Sequence, residues 1–147
     1  MLIILAIVFT AMQFIRPSRN TSGQVLPTDI ANIFPVPANV STILKNACND
    51  CHSNNTHYRW YVNIQPVGWM MASHIKNGKQ NLNFSEFGTY SSRKQANKLR
   101  AIENSLTDGT MPLPAYLIMH KDAALNAGDK KLLNNWASTI RDSLMRR

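Results

Sequence analysis

The stretch that most constrains this chain is Cys48-Asn49-Asp50-Cys51-His52. Cys48 and Cys51 are the only two cysteines among 147 residues, and a histidine follows the second directly. This is the C-x-x-C-H pattern of a c-type haem attachment site. The spacing has a chemical reason. Two thiols must reach two vinyl groups on one porphyrin edge, so they must stand about one helical turn apart. The next residue must then turn an imidazole nitrogen under the iron, which makes His52 the proximal ligand. The cofactor implied is one haem c, attached through Cys48 and Cys51. Two other uses of paired cysteines compete. A structural zinc site needs about four ligands, and no second C-x-x-C or H-x-x-x-H exists. A redox dithiol belongs at a strand-to-helix junction, and no strand-like pattern precedes Cys48. A thiol oxidoreductase is therefore the remote alternative.

The first fifteen residues, MLIILAIVFTAMQFI, carry no charge. As a helix they span about 22 Å, less than the ~30 Å of a bilayer core. The length suits a signal segment or a short membrane anchor. No basic residue precedes it, whereas Arg16 and Arg19 follow, so the expectation is a true start further upstream. Residues 16–38 hold Pro17, Pro27, Pro35 and Pro37. Proline fixes φ and removes a donor, which argues against regular structure and for a tether. Residues 39–147 then form the globular domain.

That domain reads as all-α, with no convincing strand. Asn39 caps a first helix that carries Val40, Ile43, Leu44 and Ala47 on one stripe and runs into Cys48. Tyr58 to Tyr61 is an aromatic loop. Pro66 opens a second helix, closed by Gly78. Leu82, Phe84 and Phe87 pack inwards from an irregular segment. Ser92 with Gln95 resembles a capping box and opens a helix burying Leu99, Ile102 and Leu106. Met111-Pro112-Leu113-Pro114 reads as a stiff extended loop. Asn126 with Asp129 opens the last helix, on which Leu132, Leu133, Trp136, Ile140 and Leu144 share a stripe. Trp136 is expected to pack on the helix leading to Cys48.

A low-spin iron needs a second axial ligand. Met111 is the leading candidate. Thioether sulfur is a soft neutral donor, and the flanking prolines hold the backbone extended, so presenting the sulfur costs little ordering. His74, Met119 and His120 are the rivals. Met70 and Met71 read as core packing, His57 is too close to His52 to cross the ring, and Met145 lies in a basic tail. Tyr58, Arg59 and Trp60 are expected near the cofactor, as propionate partners or haem-lining rings. An iron without a sixth protein ligand stays open as an alternative.

The run ACNDCHSNNTHYRWYVNIQPVGWMMASHIKNGKQNLNFSEF, followed by GTMPLPAYLIMHKDAALNAGDKKLLNNWA, resembles a bacterial haem-binding domain family carrying C-x-x-C-H. The resemblance covers roughly Pro35 to Ile140. FIRPSRN after an apolar segment is also similar to that family's membrane-anchored start. Pro114 is a minor departure, since relatives often have a small or polar residue there. The resemblance implies a cytochrome c-like helical fold around one covalent haem, with His52 as axial ligand. It implies no particular reaction.

The net charge of +8 favours acidic partners or an anionic membrane surface, and no motif supports nucleic-acid binding. No paired carboxylates, Ser/His/Asp set or phosphate loop supports other catalysis. The expected function is single-electron transfer between redox proteins of the bacterial envelope. The expected location is the periplasmic face, either anchored to the inner membrane or free if residues 1–15 are cleaved. A haem enzyme or a gas or peroxide sensor with an open sixth position is the alternative.

Overall fold

The computed structural model describes residues 1–146. Among them no β-strand occurs, and Thr21 and Asn55 form one isolated antiparallel bridge. The α-helices in chain order are α1 (Leu2–Met12), α2 (Ile30–Ile33), α3 (Ala38–Ala47), α4 (Asn49–His52), α5 (Val67–Asn81), α6 (Ser92–Thr107), α7 (Pro114–Met119) and α8 (Ala127–Met145). Short 3₁₀ turns lie at Trp60–Asn63, Phe84–Thr89 and Lys121–Ala123.

The core lies where α6 packs on α8 and α3 closes against α8. Leu99 and Leu106 from α6 meet Leu133, Trp136, Ala137, Ile140 and Leu144 from α8, and Val40 and Leu44 join them from α3. These positions recur every three or four residues, so each helix presents one apolar stripe. Burying each such side chain stabilises the fold by about 1.5–3 kcal/mol. Trp136 shares this core with α3, as expected, and its indole N–H donates to Pro35 O at 3.1 Å. The pair Asn126 and Asp129 forms a capping box at the start of α8. Leu132 departs from the expected stripe and faces solvent.

Several helix limits differ from the expected ones, some by a local signal at a neighbouring residue and one, at Gly78, by a packing contact. Pro37, with φ −58°, stands just before α3, which therefore starts at Ala38 and leaves Asn39 inside the helix. Helix α5 starts after Pro66 and passes through Gly78 to Asn81. Gly78 serves close approach instead of termination, since a Cβ there would stand 2.5 Å from Cys51 O. Ser91, not Ser92, caps α6 by accepting Lys94 N–H, and Gln95 is turned inwards to donate to Phe87 O at 3.1 Å. Pro114 is the first residue of α7 instead of part of an extended loop. The aromatic stretch contains the 3₁₀ turn Trp60–Asn63.

The proline-rich stretch is laid along the helices. Asp29 caps α2 by accepting Ala31 N–H at 3.0 Å, and α2 inserts Ile30 into the core. Asn20 donates to Ser53 O and to Thr56 Oγ1 at 2.8 and 2.9 Å. Helix α1 stands outside this packing and buries none of its residues. At about 17 Å for eleven residues, it is short of a bilayer core. No helix among the described residues is long and apolar enough to cross a membrane.

Candidate functional site

The site is built from the end of α3. Cys48 leaves the helical region at φ −129°, so α3 stops and α4 sets off in a new direction. Cys51 and His52 both donate backbone N–H bonds to Cys48 O, at 3.2 and 3.0 Å. The two thiols and the imidazole therefore stand on one tight turn. Helix α5 lies directly on this turn at Gly78, where only a hydrogen side chain leaves room for Cys51 O.

His52 is held from behind. Its Nδ1 lies 3.0 Å from Leu82 O. A carbonyl only accepts, so Nδ1 carries the proton. Burial pulls the imidazole below its usual range, so the ring is neutral. Its Nε2 then keeps a free lone pair, the arrangement that orients a metal-binding histidine. The ring also meets Phe84 edge-on at 6.3 Å.

This turn borders a cavity of about 510 Å³, within the ~300–1,000 Å³ typical of small-molecule sites. Cys48, Cys51, His52 and Met111 all line it. Leu44, Leu82, Phe84, Leu106 and Leu133 supply apolar walls. Met111 is 38% exposed, so it sits at the cavity's edge. Its backbone N–H points to Ser105 O at the close of α6.

The rivals of Met111 are scattered. His74 on α5 lines the cavity. His120 is buried outside it, and Met119 is exposed. Met71 packs with Val62 and Ile75 in a small second core, while Met70 and Met145 face solvent. His57 is exposed, and its backbone N–H donates to Asp50 Oδ1 at 2.8 Å.

Tyr58, Arg59 and Trp60, expected near the cofactor, do not line the cavity. Each is drawn to another partner. Tyr58 Oη accepts Asn20 N–H at 2.8 Å, and its ring lies under the Arg19 guanidinium. Arg59 pairs with Asp122 at 2.8 Å. Trp60 is 69% exposed. Among the described residues, the one Lys or Arg that lines the cavity is Lys98 on α6. Its spacing along α6 carried no such signal, because the cavity wall is formed only when α6 packs beside the attachment turn.

A second feature was also illegible in sequence. Asp50, between the two cysteines, is buried at 8% exposure. Its Oδ2 accepts the Tyr116 hydroxyl at 2.8 Å, and Oδ1 accepts His57 N–H. Tyr116 stacks on the His120 ring at 3.8 Å, and Tyr61 Oη lies 3.3 Å from that imidazole. Burial, then the hydrogen bond to Asp50, pushes the Tyr116 phenol far up, so it stays a donor. The carboxylate thus ties the attachment turn to α7, which begins three residues after Met111.

The family model described as a haem-binding domain matches residues 7–139. The chain belongs to the haem-binding domain family. Neither a curated protein nor a solved structure matches it. Residue by residue, the site suits the ligand of this haem-binding domain. The cavity is apolar-walled, two thiols and a neutral imidazole face it, and a thioether stands at its edge. Burial pushes the Cys48 thiol up to about 12 and the Cys51 thiol up to about 11. Exchange-active thiols are instead held low.

Proposed function

We propose that this haem-binding protein carries one covalently attached haem c and passes single electrons between proteins of the bacterial envelope. The observation that carries the reading is the convergence of Cys48, Cys51, His52 and Met111 on one cavity. Bound haem would supply an iron that exchanges one electron between Fe(II) and Fe(III). Cys48 and Cys51 would hold the porphyrin edge as thioethers. His52 Nε2 and Met111 Sδ would hold the iron, and His/Met ligation would raise its reduction potential. Lys98 offers a cation to a propionate, the role first expected of Arg59. The packed turn and the Leu82 bond keep the His52 ring in place. The +8 net charge steers an acidic redox partner. Helix α1 holds the chain at the periplasmic face of the inner membrane.

The test is spectroscopic. Material made with a cytochrome c maturation system should keep its haem through acidic organic extraction; haem that extracts freely overturns the covalent reading. The oxidised protein should show a red methionine-to-iron charge-transfer band, lost in Met111→Ala. A second reading, an open iron for gas or peroxide chemistry, draws on His74, which lines the same cavity. Carbon monoxide binding to the unmutated ferrous protein would favour it.

A further inference from the structure

Helix α1 is apolar on every side and buries none of its residues, yet its end is not loosely attached. The Gln13 side chain pairs with the Gln65 backbone in both directions: Gln65 N–H donates to Oε1 at 2.9 Å, and Nε2 donates to Gln65 O at 3.2 Å. The Trp69 indole donates to Ile15 O at 2.7 Å. Arg19 donates to Asn63 Oδ1 at 2.6 Å. All these bonds run to residues 63–69, so that stretch is fixed at the level where α1 ends.

Three large apolar side chains in or beside that stretch are exposed: Trp60, Ile64 at 41% and Met70 at 49%. Phe14 and Ile15, which follow Gln13 in the chain, are exposed as well. Along the chain, the charge of the two stretches is one-signed. Residues 1–28 and 51–85 contain no Asp or Glu, while Arg16, Arg19, Arg59, Lys76 and Lys79 lie within them. An exposed tryptophan and further exposed apolar side chains, on stretches of chain whose own charges are all cations, match the headgroup layer of an anionic bilayer, with Arg59 alone already paired to a carboxylate, that of Asp122.

We propose that Trp60, Ile64 and Met70 dock the domain onto an anionic lipid surface beside α1, so that the domain lies clamped against the bilayer instead of swinging on a tether. This rests on the reading of α1 as the membrane-held segment. If α1 enters the bilayer, the bonds from Gln13 and Ile15 bring residues 60–70 to headgroup depth.

The test uses the full-length holoprotein with one nitroxide at a time, at Trp60→Cys, Met70→Cys and, as a control on α6, Asn97→Cys. The native thiols are held as thioethers and do not label. Vesicles of phosphatidylcholine with phosphatidylglycerol are the probe. On binding, the ratio of oxygen to nickel-chelate accessibility should rise several-fold at positions 60 and 70 and stay unchanged at 97. If the chain floats with vesicles while 60 and 70 still read as water-exposed, docking is overturned and the anchor stands. A chain that does not float overturns both. Shielding of 60 and 70 from both relaxants, with doubled mass in detergent, would assign the face to a second copy and overturn the lipid proposal.

Discussion

The two sides of the cavity are held by different physics. The attachment side, Cys48 to His52, is fixed by close packing: α5 lies on the turn at Gly78, and Leu82 O holds the imidazole. The methionine side, from Met111 into α7, is partly exposed, and its polar tie to the attachment turn is a part-buried hydrogen bond, Tyr116 to Asp50, beside the packing of Tyr116 near Cys51 in the small second core. Packing contacts are spread over many atoms and lose little when one group shifts. A single bond to a buried carboxylate is lost whole, leaving an acceptor unpaired. The attachment side is thus built to stay put, and the methionine side is the one that a small change can release.

The largest effect should come from Gly78→Ala. The added carbon meets the Cys51 backbone carbonyl, which no rotamer change can move aside. Overpacking of this kind costs about 1–3 kcal/mol, and the upper end is expected here, read as a lower urea midpoint together with a lower yield of covalent haem. Retention of both at wild-type levels would show that the attachment side yields more easily than its packing implies.

Tyr116→Phe should act on the other side alone. Loss of a hydrogen bond to a charged group costs about 1.5–3 kcal/mol. The expected signature is a weakened methionine charge-transfer band and some carbon monoxide binding, with the haem still covalently held. If Met111→Ala abolishes the band and Tyr116→Phe leaves it intact, the bond does not position the methionine.

The smallest effect is expected from Arg59→Ala. An exposed ion pair such as Arg59–Asp122 contributes about 0–1 kcal/mol. Unfolding should barely change, and the reduction potential should match the unmutated protein, whereas Lys98→Met should move it. A potential shift in the Arg59 variant would restore that residue to the propionate role.

The difference between the sides also explains what could be read early. Cys48, Cys51 and His52 are adjacent in the chain, so their shared turn follows from local spacing. The apolar stripes of α3, α6 and α8 repeat at helical period, which made the all-helical core legible through Leu44, Leu99 and Ile140. Gly78 misled for the opposite reason. A glycine near a helix end reads as a terminator, but its use here is visible only when a second element lies on it. Tyr58, Arg59 and Trp60 were placed by their nearness to His52 in sequence, but Tyr58 packs on the small second core and bonds Asn20, Arg59 pairs with Asp122, and Trp60 faces solvent.

What the sequence alone determined is the chemistry at one turn and the helical character of the chain, because both depend on residues within a few positions of each other. The tertiary structure decided the rest. It brought Met111 and Lys98 to the cavity, tied Asp50 to Tyr116 across sixty-six positions, and pinned Gln13 to Gln65. Such long-range pairings are set by how helices pack against one another, and no local spacing records that.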